Sequence, residues 1–425
     1  MSPLYQSHHS DRRRRLWLLT LIAAVPLVAC SLLIGPDPSV VANATATPVS
    51  PPVAADDENT QYTVFGYNDL GMHCMNEDFS ELCILPPYNN LHAQVIRRGE
   101  EPRIVTERVQ ILYSIRFNRS SIDKTNFWDY VQDLFGVQLP DNIGLTGNGL
   151  YGVMEPTGHG DWAATGIPIT PLTDFRDKQG NYLSDPYQLS SIVVNNRSGN
   201  RLATTVAVVP VSWEISCHLC HTTKGISVAT DILRKHDQLH NTQLESQKPV
   251  LCASCHADPA LGTTGVEGVS TFSHAMHSSH APRMQALPHL DNSCYACHPG
   301  TQSECQRDIH NDLKIKCIDC HGDMNAVADP QRIPWVSEPK CGDCHSYINP
   351  RFDYEEQGKL FKDSKGHGGV FCAACHGPQH AVGPAETIAD NLQAIYKQGE
   401  RGTIRKCTVC HTRTPEEPFF HSRED

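Results

Sequence analysis

Between residues 109 and 117 the chain alternates. Val109, Ile111, Tyr113, Ile115 and Phe117 are apolar, and Gln110, Leu112, Ser114 and Arg116 between them are mostly not. That period of two predicts a strand with one face on a core. Val209, Val211, Trp213 and Ile215 alternate with Pro210, Ser212, Glu214 and Ser216 and predict a second strand, and Ser191–Asn195 is a third candidate. Phe127, Tyr130, Val131 and Leu134 recur at helical spacing, with Gly136 placed to stop the helix. Gly, Pro and Asn separate these pieces, so residues 60–216 read as a small β-rich domain with one or two short helices. From residue 217 onward such periods fade, and 217–425 predicts short helices, long connecting loops and almost no sheet. The expected class is α+β.

The chain ahead of Thr60 follows a third pattern. Arg12–Arg15 precede an apolar run, Leu16–Ile34, broken by Pro26 and Cys30. That is an export signal of the secretory kind. Three endings fit it. Leu27-Val28-Ala29-Cys30 is lipobox-like and would leave a lipidated Cys30. Ala42-Asn43-Ala44 is a small-x-small cleavage site. The apolar run is also about as long as a bilayer anchor needs to be. Each ending puts the remainder outside the cytoplasm, as an outer-membrane lipoprotein, a periplasmic protein or an extracellular one. Residues 1–34 are therefore the signal, lipoprotein or anchor segment. Residues 35–59, rich in Pro, Ala, Val, Ser and Thr without a period, are a flexible linker.

The 425 residues carry 35 Lys and Arg against 47 Asp and Glu, a net charge of −12. Loss of residues 1–29 removes four Arg and one Asp and leaves −15. An acidic chain whose one dense basic run belongs to a targeting segment is not built to bind nucleic acid. The composition is too polar for a multi-span membrane protein. The 18 cysteines beside 23 histidines direct attention to metal or haem chemistry.

Cys-x-x-Cys-His occurs seven times: Cys217, Cys220, His221; Cys252, Cys255, His256; Cys294, Cys297, His298; Cys317, Cys320, His321; Cys341, Cys344, His345; Cys372, Cys375, His376; and Cys407, Cys410, His411. The chain's own Cys and His frequencies would yield about 0.04 copies by chance, so this is the attachment signature of c-type haem. Two thiols add to the two vinyl groups, and the histidine that follows lies under the ring as the proximal iron ligand. Zinc ribbons and thioredoxin-like pairs also use Cys-x-x-Cys, but neither requires that histidine seven times over. The intervals between successive motifs are irregular, which excludes a solenoid of identical units. Residues 217–425 are too few per haem, with seven to hold, to build an ordinary core, and the porphyrins are expected to serve as one.

Eleven further histidines lie in the same segment. His236, His277, His280, His310, His367, His380 and His421 are the expected distal ligands. His240, His274 and His289 are held in reserve, His218 inside a motif loop ranks below them, and Met276 and Met284 are alternatives. Seven closed, low-spin irons are thus within supply.

Residues 217–425 resemble the multihaem c-type cytochromes of bacteria that respire metals or other poorly soluble acceptors. The phrases Cys294-Tyr-Ala-Cys-His-Pro-Gly, Cys317-Ile-Asp-Cys-His-Gly and Gly366-His-Gly-Gly-Val-Phe-Cys-Ala-Ala-Cys-His-Gly carry that likeness. Gly66-Tyr-Asn-Asp-Leu-Gly-Met-His-Cys74 and Ile84-Leu-Pro-Pro-Tyr88 resemble the amino-terminal domain of some large members. The resemblance implies electron transfer through seven covalent haems. Its partners would be other redox proteins or an extracellular acceptor, with self-assembly into filaments as some members show. The other function class is a multihaem oxidoreductase with one open iron for a small nitrogen or sulfur substrate. The absence of any Cys-x-x-Cys-Lys and the surplus of histidines favour the electron conduit over it.

Three cysteines stand outside the motifs and Cys30. Cys74 and Cys83 could form a loop-stapling disulfide. They could instead join His73 and His92 around Zn or Cu, or His73 alone could ligate a haem at the domain boundary. Cys305 is expected as a solitary thiol.

Overall fold

The computed structural model describes residues 60–286, 292–347, 354–419 and 421. The apolar run and linker, and His289, lie outside the described residues. The described residues all belong to one compact unit, which mixes helix and strand as the sequence patterns imply.

Two antiparallel sheets make the core of residues 60–216. In one, strands Tyr62–Tyr67, Leu91–Arg97, Trp162–Ala164 and Glu155–Pro156 lie in that order, and Arg103–Val105 pairs with the far end of Leu91–Arg97. In the other the order is Arg201–Val208, Leu189–Asn196, Val109–Ile115 and Tyr151–Val153. Along Val109–Ile115 the residues Ile111, Tyr113 and Ile115 are buried, which is the face that the alternation marks. The sheets meet closely at Gly66, where a Cβ would stand 2.5 Å from Ile192 Cδ1. Helix Phe127–Phe135 buries Phe127, Val131 and Leu134. It ends where Gly136 turns left-handed at φ 69° and donates its N–H to Gln132 O.

The strand expected at 209–216 is displaced. The long strand ends at Val208, and only Val211–Ser212 is extended beyond it, pairing in parallel with His73–Cys74. Val209, Pro210, Val211 and Ser212 are all buried, so the alternation there does not mark two faces. Glu214 is buried too. Its carboxylate accepts the backbone N–H groups of Thr301, Gln302 and Ser303 at 2.7, 2.9 and 2.7 Å. Burial alone would raise its pKa, but those donors hold it below the usual carboxylate value.

Similar bonds join the β-rich part to the motif-bearing part. Gln393 accepts from Gly66 N at 2.7 Å and donates to Gly66 O at 3.0 Å. Gln94 accepts from Phe371 N and donates to Gly369 O, both at 3.1 Å. Among the described residues, 217–425 hold mostly short helices, two longer ones at Val228–His240 and Ile388–Gln398, and one two-residue strand, Val250–Leu251. The large hydrophobic cluster stops before them, with every buried member between Val64 and Val211. Among the described residues after 216, twelve hydrophobics are buried and eight of those are alanine. Side chains that small do not fill a core for a segment of this length.

His92 sits within the first sheet. Its ring stacks on Tyr67 at 5.4 Å, its Nδ1 donates to Asp161 Oδ2 at 2.9 Å, and Nε2 stands 3.4 Å from Asp69 Oδ2. Burial pushes the imidazole pKa down, but the two carboxylates more than offset it and hold it at about 9. The folded value is above the unfolded 6.5, so the stabilisation is complete below pH 6.5 and is lost as pH rises through 9. The difference corresponds to about 3 kcal/mol. Denaturant unfolding at pH 6 and pH 9.5 should show that loss in the parent. His92→Gln should remove most of the difference between the two pH values.

Candidate functional site

All seven motifs fold as a single turn. Cys317–His321, Cys341–His345 and Cys372–His376 are one-turn α-helices, and the other four begin in 3₁₀ geometry. His221, His256, His298 and His411 each donate a backbone N–H to the carbonyl of the first cysteine of their motif, at 2.9, 3.1, 2.9 and 2.8 Å. Positions three and four apart share one side of such a turn, so both thiols and the histidine can address one flat group.

Six of the seven motif histidines have a second histidine opposite them. Ring centres are 6.3 Å apart for His256 and His236, 6.2 Å for His298 and His277, and 6.2 Å for His345 and His310. They are 6.0 Å apart for His321 and His380, 6.1 Å for His376 and His421, and 6.0 Å for His411 and His367. The seventh motif histidine, His221, lies within charge range of His280. Imidazoles at such separations are too far apart to stack in contact. Two metal–nitrogen bonds of about 2.0 Å, plus about 1.1 Å from nitrogen to ring centre on each side, total about 6.2 Å.

The hydrogen bonds of these rings fall on Nδ1. His221 donates to Asp231, His256 to Ser270 O, His277 to Ser273 O, His280 to Met276 O, His310 to Asp308 and His411 to Glu100 O, at 2.7–3.2 Å. A carbonyl or carboxylate acceptor fixes the proton on Nδ1 and leaves the Nε2 lone pair for a metal. His236 meets Thr242 Oγ1 at 2.9 Å, His376 meets Thr403 Oγ1 at 3.4 Å, and His380 meets Cys305 Sγ at 3.7 Å. Burial pushes His298 and His321 down to about 4, which keeps them neutral and able to ligate. His380 behaves otherwise. Burial would lower it, but the Cys305 thiol holds it at about 9, while His380 in turn draws Cys305 below the usual thiol value.

Among the described residues no three His, Cys, Asp or Glu converge on a bare ion. The recurring unit is two imidazoles and two thiols, which suits a metal whose remaining ligands belong to a porphyrin. Beside the fourth motif an open cleft of about 410 Å³ is lined by Cys320, His321, Arg332 and Glu338. Leu219 and Ile318, inside motifs, are exposed apolar side chains of the kind a porphyrin face covers.

The other candidates are placed elsewhere. His240 packs on His236 at 4.8 Å, His274 turns a buried Nδ1 that meets no hydrogen-bond partner, and His218 is exposed. Cys74 and Cys83 are not joined, and the short strands that bear them pair with Val211–Ser212 and Val250–Leu251. His73 bonds Pro86 O through Nε2 at 2.9 Å and His92 is held between carboxylates, so these four residues do not assemble a metal site. The residues that orient the rings, such as Asp231, Asp308 and Cys305, carry no motif of their own. They are recognisable only once the chain is folded.

No known protein family, no curated protein and no solved structure matches this chain.

Proposed function

We propose that the chain carries seven covalently attached c-type haems, each closed by two histidines, and relays single electrons between partners. The observation that carries this is the set of six facing histidine pairs with ring centres 6.0–6.3 Å apart, each joining one motif histidine to a histidine outside the motifs. Cys217, Cys252, Cys294, Cys317, Cys341, Cys372, Cys407 and their partners three residues on would form the thioethers. The motif histidines would be proximal ligands, and His280, His236, His277, His380, His310, His421 and His367 the distal ones, in motif order.

When bound, haem supplies the one-electron iron couple. The chain's own part is structural and electrostatic. Nδ1 acceptors fix the ring tautomers, burial keeps His298 and His321 neutral, and paired ligands would close the irons to small substrates while leaving outer-sphere exchange open. The second histidine facing six of the seven motif histidines is why a relay is preferred to an oxidoreductase acting on a nitrogen or sulfur compound. Thioether formation belongs to the oxidising side of the membrane, in keeping with the export signal read from residues 1–34, so the protein would act in the periplasm, on the outer surface or outside the cell.

A pyridine haemochrome assay of mature protein should return seven haems per chain, all retained after acid–acetone extraction. Six or fewer would contradict the assignment.

A further inference from the structure

The seven sites share elements, and the sharing is selective. Helix Val228–His240 carries His236, which faces His256, and also Asp231, which accepts from His221 Nδ1 at 3.2 Å. Sites 2 and 1, counted by motif along the chain, are therefore joined by one helix, their side chains five residues apart. Helix Phe272–His280 carries His277, facing His298, and one turn later His280, within charge range of His221. Ser216 N also donates to Ala296 O at 3.1 Å, just ahead of the first motif and inside the third. Sites 1 and 3 are thus neighbours.

The remaining joints follow the chain. Asn292, one residue ahead of the turn that holds the third motif, donates from Nδ2 to Cys317 Sγ at 3.1 Å, and the Cys294 and Cys317 thiols interact directly. Asp308 binds His310, which faces His345, while Arg307 beside it donates its N–H to the carbonyl of His380, which faces His321. Glu355 accepts from Cys341 N at 3.1 Å, and the adjacent Glu356 N donates at 3.2 Å to Ser364 Oγ, whose own residue's carbonyl accepts from Cys372 N at 3.0 Å. Ile404, three residues before Cys407, donates to Cys375 O at 2.9 Å.

From this juxtaposition we infer that the seven haem sites form one unbranched row in the order 2–1–3–4–5–6–7, reversed against the sequence only at its first two members. The inference rests on the haem occupancy proposed above and adds its path. The longest inter-motif interval, from Cys252 to Cys294, is the one that must return past site 1, and it contains the helix that serves sites 1 and 3. Electrons would enter and leave through the ends, at the motifs Cys252–His256 and Cys407–His411. Site 4 is the midpoint, and every end-to-end transfer would pass through it.

The test is the iron positions in the haem-loaded full-length protein, from anomalous diffraction or cryo-electron microscopy. The six shortest iron–iron distances should belong to the pairs 2–1, 1–3, 3–4, 4–5, 5–6 and 6–7. A 2–3 distance shorter than 1–3, or any other pair among the six shortest, overturns the row. A chain with seven haems in another order refutes the row alone, whereas a chain that cannot be loaded with seven refutes the function proposed above.

Discussion

In the haem-loaded protein proposed above, replacing His367 with alanine should convert one of seven irons from low spin to high spin. The oxidised variant should show a high-spin electron paramagnetic resonance signal, and the reduced variant should bind one carbon monoxide per chain. Both are expected to be absent from the parent. His367 suits this experiment because of how it is held. Its ring faces His411 at 6.0 Å and meets Phe419 edge-on at 4.5 Å, while its buried Nδ1 meets no hydrogen-bond partner. Truncation therefore breaks no hydrogen bond made by the ring. Its turn is fixed independently: Gly368 and Gly369 adopt φ of 63° and 77°, and Gln94 Nε2 donates to Gly369 O at 3.1 Å. On the other side, His411 is secured by its Nδ1 bond to Glu100 O at 2.8 Å. His367→Met should keep the site low-spin at a more positive potential, because a thioether is a weaker donor than imidazole. The relay reading fails if the unmutated ferrous protein already binds carbon monoxide stoichiometrically and turns over nitrite or hydroxylamine.

The Cys-x-x-Cys-His motifs are local, so they can be read without a fold. Five contiguous residues close one turn, and nothing distant is needed to place two thiols and a histidine together. The distal partners are a different matter. His310 precedes Cys317 by seven residues yet faces His345 of the next motif. His380 follows His376 by four residues yet faces His321, two motifs earlier. His421 follows His411 but faces His376. Proximity in sequence identified these residues as candidates and misdirects any guess at pairing, because the long loops between motifs do not constrain which site a histidine reaches. The β-rich part shows the same division. Val109–Ile115 and Phe127–Phe135 follow their periods because each has one core face and one wet face. Residues 209–212 are buried on both faces, and there alternation has nothing to report. Cys305 looked like a solitary thiol because its partner, His380, lies 75 residues away.

The largest stability effect is expected at Arg307, whose side chain is 0% exposed in an acidic protein. Its guanidinium grips Asp390 with two bonds, Nε to Oδ2 at 2.6 Å and Nη2 to Oδ1 at 2.9 Å, and its third nitrogen donates to Cys305 O at 3.2 Å. The Tyr187 ring lies 5.1 Å from the guanidinium carbon. The backbone of the same residue donates to His380 O and accepts from Glu386 N, both at 2.8 Å. One residue thus ties the segment after the third motif to helix Ile388–Gln398 and to the loop that presents His380. Arg307→Met retains the apolar volume and leaves the Asp390 carboxylate, 1% exposed, without its counter-charge. Stranding one member of a buried pair costs about 3–5 kcal/mol. The guanidinium midpoint should fall accordingly with little change in slope. Removing both charges in Arg307→Met/Asp390→Leu should restore most of the loss, because the pair's attraction is largely offset by its desolvation. A single variant that costs under about 1 kcal/mol would mean the pair is hydrated rather than buried. The single variant carries a second readout. Loss of the guanidinium bond to Cys305 O, whose thiol meets His380 Nδ1 at 3.7 Å, should broaden or shift the low-spin signal of the iron that His321 would serve, and leave the other six unchanged.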